Sequence, residues 1–183
     1  LRGRLTGDGV LRLAETLGDA LSVAHEQSVF HRDVKPANII LSEHGPKLVD
    51  FGVAKAMESN LTDKTLFTRF EQMIGTPAYM SPEQAGTDSA ATDIDTRADI
   101  YALGVLLYEL LTGVRPLADE MNRTPSWDQV FKVIRETDPR RPSTQLTHKP
   151  DVLKQAAEHR NLPPGNLMRQ LRGDLDLITM KAL

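Results

Sequence analysis

The sequence has no cysteine, no strong excess of either charge and no long hydrophobic run. Without cysteine there can be no disulfides, thiolate nucleophiles or cysteine-based zinc sites, which fits a reducing compartment. A net charge of -3 gives no reason to expect a nucleic-acid partner. The most hydrophobic stretch, residues 100–114, is too short to span a membrane and contains Glu109. The first ten residues lack the apolar core of a signal peptide, so we expect a cytoplasmic segment.

The 183 residues include 40% apolar and 26% charged side chains, which is typical of a folded globular domain. Apolar side chains at helical spacing predict helices over 8–27, 96–111 and 127–136. Two short apolar runs, 38–41 and 47–51, predict a β-hairpin around a Gly-Pro turn. Helices therefore dominate, with one small hairpin among them.

The rest of the chain gives weaker patterns. Residues 55–80 predict a long ordered loop, and a capping serine and proline predict a short helix at 81–86. The segment 138–170 is rich in turn residues, and no element is predicted there. A final helix is predicted from Asp174, and its pattern still runs where the sequence stops.

The hairpin carries an unusual set of polar side chains. Asp33 lies two residues before Lys35 and five before Asn38, and Asp50 follows on the returning strand. We expect the hairpin to bring Asn38 close to Asp50, giving an amide and a carboxylate oxygen that suit a hard cation such as Mg²⁺. Lys35 offers a positive charge for phosphate oxygens, and Asp33 could accept a proton from a hydroxyl. These groups together suit phosphoryl transfer.

Three segments resemble the protein kinases. "HRDVKPAN" followed by "DFG" resembles their catalytic loop and metal-binding motif. "GTPAYMSPEQ" resembles the substrate-docking loop and Ala-Pro-Glu motif, although Ser81 replaces the usual alanine. "DIYALGVLLYELLTG" is similar to the central helix of the helical lobe. A lysine after the catalytic aspartate is typical of the serine/threonine kinases. The sequence of the docking loop most resembles the eukaryotic-like serine/threonine kinases of bacteria.

The resemblance implies a mainly α-helical fold, the C-terminal lobe of a kinase with helices around a small catalytic β-hairpin. Residues 1–183 would form a partial kinase domain, truncated at both ends, with its catalytic loop at 31–38. The activation segment would cover 50–83 and the central helix 96–111. The sequence contains no glycine-rich loop followed by a strand lysine, so we expect the N-terminal β lobe to be absent from this segment and to be its missing partner.

By the same resemblance, Asp33 orients the substrate hydroxyl and accepts its proton, and Lys35 steadies the γ-phosphate of ATP. Asn38 and Asp50 would hold the Mg²⁺ (or Mn²⁺) ions. The floor under the adenine would include two apolar residues of the hairpin, Ile40 and Val49.

Other residues receive structural roles from the resemblance. His31 and Phe51 would stack on each other, and Asp99 would tie the central helix to the backbone of the catalytic loop. Thr76 would hydrogen-bond to the catalytic aspartate and lysine. The remaining histidines, His25 among them, show no metal-ligand spacing and are expected on the surface.

Arg32 precedes the catalytic aspartate, as in kinases that are activated by phosphorylation of the activation loop. A phosphothreonine would pair with Arg32 and order the loop. Among Thr62, Thr65 and Thr68 we favour Thr68 for its position relative to the docking loop. Glu83 would pair with an arginine located beyond residue 183.

The expected function is transfer of the γ-phosphate of Mg-ATP to serine or threonine hydroxyls of protein substrates, with the segment alone inactive. One alternative is a catalytically impaired pseudokinase or scaffold, against which the intact Asp33, Lys35, Asn38 and Asp50 argue. Another is a kinase-like small-molecule phosphotransferase, which would lack the peptide-docking loop. A membrane anchor, if the parent protein has one, is expected only outside this segment.

Overall fold

A computed structural model describes residues 7–51, 77–86, 96–124 and 126–183. Within these ranges there are eight α-helices and one sheet of two strands. The helices are α1 (Gly7–Glu26), α2 (Thr96–Thr112), α3 (Ala118–Asn122), α4 (Trp127–Glu136), α5 (Pro142–His148), α6 (Pro150–His159), α7 (Pro164–Gln170) and α8 (Asp176–Ala182). The strands are β1 (Ile39–Ser42) and β2 (Gly45–Leu48). The mainly helical lobe around one hairpin is confirmed.

Helix α2 forms the centre of the molecule, because apolar side chains on all its faces are buried. It ends where Gly113 adopts φ 80° and donates its N–H to the carbonyl of Glu109 over 2.8 Å. Helix α1 packs beside it through the predicted apolar stripe, of which Leu13 and Leu17 join a core cluster with Leu106. Ile39 of β1 belongs to the same cluster, so the hairpin is anchored on both helices.

The hairpin differs in detail from its prediction. Its strands pair antiparallel with Ile39 opposite Leu48, and the connecting turn consists of Glu43 and His44. The predicted Gly-Pro turn is wrong, because Gly45 and Pro46 belong to β2. Strand β2 also ends before Asp50, whose φ of 60° is incompatible with extended backbone.

Three short helices occupy the segment for which no element was predicted. Each has a proline in its first turn, where the missing N–H costs nothing: Pro142, Pro150 and Pro164. They bury Leu146, Ala156, Ala157 and Leu167 in a cluster with Val10 of α1, Leu107 and Leu111 of α2, and Leu171, which directly follows α7.

The structure also describes two other predicted elements. Helix α8 begins within two residues of the predicted Asp174, and the non-helical backbone angles of Arg172 and Gly173 form a kink directly before it. The short helix predicted at 81–86 is only a hydrogen-bonded turn. The predicted loop over 55–80 lies mostly outside the described residues, and its end, Pro77–Tyr79, is a 3₁₀ turn. In the described part of the chain, no helix has the length and apolar character needed to cross a bilayer.

Candidate active site

The backbone before the hairpin is held by one buried carboxylate. Asp99, in the first turn of α2, is fully buried and accepts hydrogen bonds from the N–H groups of His31 (2.8 Å) and Arg32 (2.6 Å). Arg32 adopts φ 61°, a left-handed conformation that is costly for a residue with a side chain. The central helix therefore fixes the shape of the loop that precedes Asp33.

His31 links this loop to the end of the hairpin. Its buried ring contacts the carbonyl of Val49 through Nε2 at 3.0 Å and accepts the N–H of Asp33 at Nδ1 over 3.2 Å. These two contacts fit a single neutral tautomer, with the proton on Nε2. The ring centroids of His31 and Phe51 lie 4.7 Å apart with the planes tilted by 50°. One side chain thus spans the two segments that carry Asp33 and Asp50.

Lys35 and Asn38 both contact the carboxylate of Asp33. The ammonium of Lys35 lies 2.8 Å from Oδ2 of Asp33, and the two side chains are 24% and 19% exposed. The amide nitrogen of Asn38 donates to the same Oδ2 over 3.2 Å and to the backbone carbonyl of Asp33 over 2.8 Å. The carboxylate is therefore oriented by two donors and still reaches the surface.

Asp50 and the two apolar residues lie around the hairpin. The N–H of Val49 donates to the backbone carbonyl of Asn38 over 2.9 Å, which places Asp50 one residue beyond that pair. Asp50 is exposed, as is Ile40 at 52%, whereas Val49 is half-buried. Across the described ranges there is no cluster of three or more His, Cys, Asp or Glu side chains able to hold a metal. Within these ranges, the Asn38 amide and the exposed Asp50 are the side chains near the hairpin that could bind a cation, and they would share it with further ligands.

Comparison of the sequence with known protein families identifies the family of this chain. Residues 2–170 match the protein kinase domain. The chain belongs to the protein kinase family.

Bacterial serine/threonine-protein kinases are among the proteins to which the chain is similar. Serine/threonine-protein kinase PknB of Mycobacterium leprae is 36% identical over 165 residues, which are 90% of this chain and 21% of that protein. PkaA of Streptomyces coelicolor is 38% identical over 146 residues, 78% of this chain and 24% of that protein. PknB of Mycobacterium tuberculosis strain H37Rv is 35% identical over 176 residues, 94% of this chain and 23% of that protein. The chain thus spans about a quarter or less of the length of these kinases.

Some residues singled out in the kinase motifs fall outside the described ranges. Thr68 and Thr76 lie outside the described residues, as do Thr62 and Thr65. Glu83 is exposed on the turn after the docking loop. Burial, and secondly the charge of Glu83, raise the pKa of the Tyr101 hydroxyl to about 12. This tyrosine therefore stays protonated at neutral pH.

One expectation for the kinase lobe is wrong. His25 does not lie free on the surface, because its side chain is 13% exposed and its Nε2 lies 2.9 Å from Oδ2 of Asp99. Its ring also lies beside that of Phe30, with centroids 5.9 Å apart. The sequence held a signal, since His25 follows the buried Leu21 by four residues on α1.

The turn that follows the docking loop also contributes to the site. The amide nitrogen of Gln84 donates to the backbone carbonyl of Arg32 over 3.0 Å, directly before Asp33. The amide oxygen of the same side chain accepts the N–H of Ser81 over 3.1 Å. The spacing Ser-x-x-Gln is a capping-box pattern and could have predicted the second contact, although not the first.

Proposed function

We propose that this segment is the catalytic lobe of a kinase that transfers the γ-phosphate of ATP to serine or threonine hydroxyls of proteins. The observation that carries the proposal is the Asp33 carboxylate, oriented by Lys35 and Asn38 and still reaching the surface. Membership in the protein kinase family supports the reaction class. Lys35 after Asp33 and the names of the bacterial relatives support serine or threonine as the acceptor.

Asp33 is proposed to hold the acceptor hydroxyl and to take its proton as the oxygen bonds to phosphorus and ADP leaves. Phosphoryl transfer requires mainly positioning and charge neutralisation, so a fixed carboxylate is suited to this task. The Lys35 ammonium, 2.8 Å from that carboxylate, supplies positive charge beside it for phosphate oxygens. The exposed Ile40 and half-buried Val49 would provide apolar surface for the adenine.

Asn38 and Asp50 would hold the divalent cation, Mg²⁺ or Mn²⁺. The donor set fits, because the nitrogen of the Asn38 amide is already engaged with Asp33, which directs its oxygen to other partners. Mg²⁺ is commonly bound by one or two carboxylates together with phosphate oxygens, so a larger acidic cluster is not required. When bound, the cation neutralises charge on the transferred phosphate.

Regulation by phosphorylation remains a proposal based on the motif. Arg32 lies beside Asp33, and its guanidinium carbon sits 5.7 Å from the centroid of the Phe30 ring. We propose that phosphothreonine at Thr68 pairs with this arginine. Mass spectrometry of the active, full-length protein should detect phosphate at Thr68, and an active protein without it would contradict this assignment.

We expect residues 1–183 alone to be a poor catalyst. The sequence has no glycine-rich loop with a strand lysine to hold ATP from above. Misplacement of reacting groups by about 1 Å can cost on the order of 10²-fold in rate. Turnover by the purified segment at a rate typical of kinases, roughly 1–100 s⁻¹, would contradict this expectation.

The test of the reaction is the Asp33→Asn variant of the protein as its gene encodes it. We expect kcat for phosphorylation of a serine- or threonine-containing protein to fall by about 10²–10⁴-fold, the usual contribution of a general base. Asp19→Asn is the matched control, because Asp19 is exposed on α1. A fully active Asp33→Asn protein would exclude the proposed function.

A further inference from the structure

The backbone that leads into Asp33 is held at three successive groups: the N–H of Arg32, the carbonyl of Arg32 and the N–H of Asp33. The N–H of Arg32 donates to Oδ1 of Asp99 over 2.6 Å, and the N–H of Asp33 donates to Nδ1 of His31 over 3.2 Å. The carbonyl between them, that of Arg32, accepts from Gln84 over 3.0 Å. Asp99 and His31 are fully buried, whereas Gln84 comes from a turn 52 residues further along the chain.

The amide of Gln84 can make these contacts in only one orientation. Its oxygen lies 3.1 Å from the N–H of Ser81 and 3.3 Å from the Ser81 hydroxyl. Its nitrogen lies 3.0 Å from the carbonyl of Arg32. A flipped amide would place its NH₂ against the N–H of Ser81 and its oxygen against a carbonyl. Gln84 therefore acts as a donor toward the catalytic loop and an acceptor toward its own turn.

The contact falls where the loop is conformationally strained. Arg32 has φ 61°, and residues held in this region need surrounding interactions that keep them there. Asp99 fixes the N–H side of this residue, and Gln84 fixes its carbonyl side. Without the donor on the carbonyl side, the peptide plane before Asp33 could rotate, and the carboxylate would move with it.

We propose that Gln84 is a positioning residue that couples the turn after the docking loop to the orientation of Asp33. This rests on the proposed function, because it takes Asp33 as the group that meets the acceptor hydroxyl. Gln84 would act through Asp33 rather than on the reacting atoms. It would transmit the position of residues 77–86 to the catalytic loop through its hydrogen bond to the Arg32 carbonyl.

Substitutions at Gln84, made in the protein as its gene encodes it, can test the donor and the acceptor of its amide separately. Gln84→Met keeps the length and removes both bonds. Gln84→Lys restores a donor for the Arg32 carbonyl but no acceptor for Ser81. Gln84→Glu keeps the capping acceptor, since glutamate serves in capping boxes, but has no donor for Arg32. The measurements are kcat, KM for ATP and the melting temperature of each variant.

We expect kcat of Gln84→Met to fall by about tenfold with KM for ATP unchanged, because only the orientation of the catalytic group is lost. Gln84→Lys should recover kcat to within about threefold of the native protein despite a lower melting temperature. Gln84→Glu should melt like the native protein and keep the low kcat. If Gln84 only stabilised its own turn, kcat would be higher for Gln84→Glu than for Gln84→Lys.

Controls separate this inference from the reaction itself. The same three substitutions at Gln170, which is exposed at the end of α7, should leave kcat unchanged. If Asp33→Asn abolishes activity while Gln84→Met has native kcat, the inference about Gln84 is wrong and the proposed function stands. Equal kcat for the Lys and Glu variants would also overturn it, and this comparison remains decisive even if Gln84→Met does not fold. If Asp33→Asn is active, the proposed function itself fails.

Discussion

Two regions of this molecule are stabilised by different means. The proposed catalytic loop and the hairpin, within residues 29–51, are fixed by hydrogen bonds that side chains such as Asp99, His31 and Asn38 make to backbone groups. The C-terminal helices, residues 142–183, are fixed by apolar packing in which Leu146, Leu167 and Leu171 are almost fully buried. Apolar packing is undirected, whereas each hydrogen bond specifies an orientation.

We expect the hydrogen bonds of the first region to orient the candidate site, and the apolar packing of the second region to contribute mainly to the stability of the fold. In the first region, the groups that hold the fold also aim the candidate catalytic residues, so damage there should reduce stability and activity together. In the second region, a lost contact should lower the free energy of unfolding and leave the site of the surviving folded molecules unchanged. Each prediction below tests whether the two regions respond in these different ways, and all apply to the protein as its gene encodes it.

The largest effect is expected for Asp99→Ala. The substitution leaves two buried N–H groups, those of His31 and Arg32, without their acceptor, and it removes the partner of His25. At about 1–3 kcal/mol for each unsatisfied group, the free energy of unfolding should fall by about 4 kcal/mol. Denaturant unfolding and a kinase assay should both show the loss. Asp138→Ala, at an exposed position, is the control.

Leu171→Ala should come next. Leu171 is fully buried among the C-terminal helices, so truncation removes apolar contacts and leaves a cavity. We expect a loss of about 3 kcal/mol in the free energy of unfolding, within the usual range for such changes. Activity per folded molecule, measured well below the melting temperature, should be native. A large drop in kcat without unfolding would contradict the separation of the two regions.

Ser143→Ala tests a buried polar pair inside the apolar region. The Ser143 hydroxyl donates to Oδ2 of Asp176 over 2.5 Å, and its backbone N–H donates to Oδ1 over 3.0 Å. Loss of the hydroxyl leaves a buried carboxylate with one donor fewer, and should cost about 1–2 kcal/mol. Thermal unfolding should detect it, whereas Ser22→Ala, on the exposed face of α1, should have no effect.

The smallest effect concerns an ion pair at the surface of the same region. Lys149 Nζ lies 2.6 Å from Oδ1 of Asp119, and this hydrogen bond is the main reason that the pKa of the Asp119 carboxyl lies below its ordinary 3.8. A lowered pKa gives stability above pH 4 that disappears as the pH falls through the folded-state value. Because the pair is partly exposed, Asp119→Asn should cost less than about 1 kcal/mol at pH 7. Equal unfolding free energies at pH 7 would show that the pair contributes nothing.

The two regions also differ in how much of them could be predicted. Helices α1, α2 and α4 were predicted to within one residue at either end, because their apolar spacing is strong. The hairpin was predicted from its two apolar runs. Helices α5, α6 and α7 were missed because they are short and begin with prolines, so their turn residues outweighed their weak periodicity.

In the candidate site, residue types could be predicted and conformations could not. The motif spacing singled out Asp33, Lys35 and Asn38, and in the structure Lys35 and Asn38 both contact the carboxylate of Asp33. Left-handed backbone at Arg32 has no sequence signal, and at Asp50 the signal is weak, since aspartate adopts this conformation more often than most other residues with side chains but still uncommonly. The contacts from His25 and Gln84 cross 74 and 52 residues of chain, so they follow from tertiary packing rather than local pattern.

Gly104 has a consequence for the dimensions of the lobe. A Cβ atom added there would lie 2.8 Å from Cβ of Ala182, 3.2 Å from its carbonyl carbon and 3.3 Å from Cδ2 of Leu183, so α2 and the end of α8 pack closely at this point. Any larger residue at position 104 would clash with the backbone and side chain of Ala182, and the end of α8 would have to move away from α2. The close approach of the last turn of α8 to the central helix therefore depends on the absence of a side chain at Gly104.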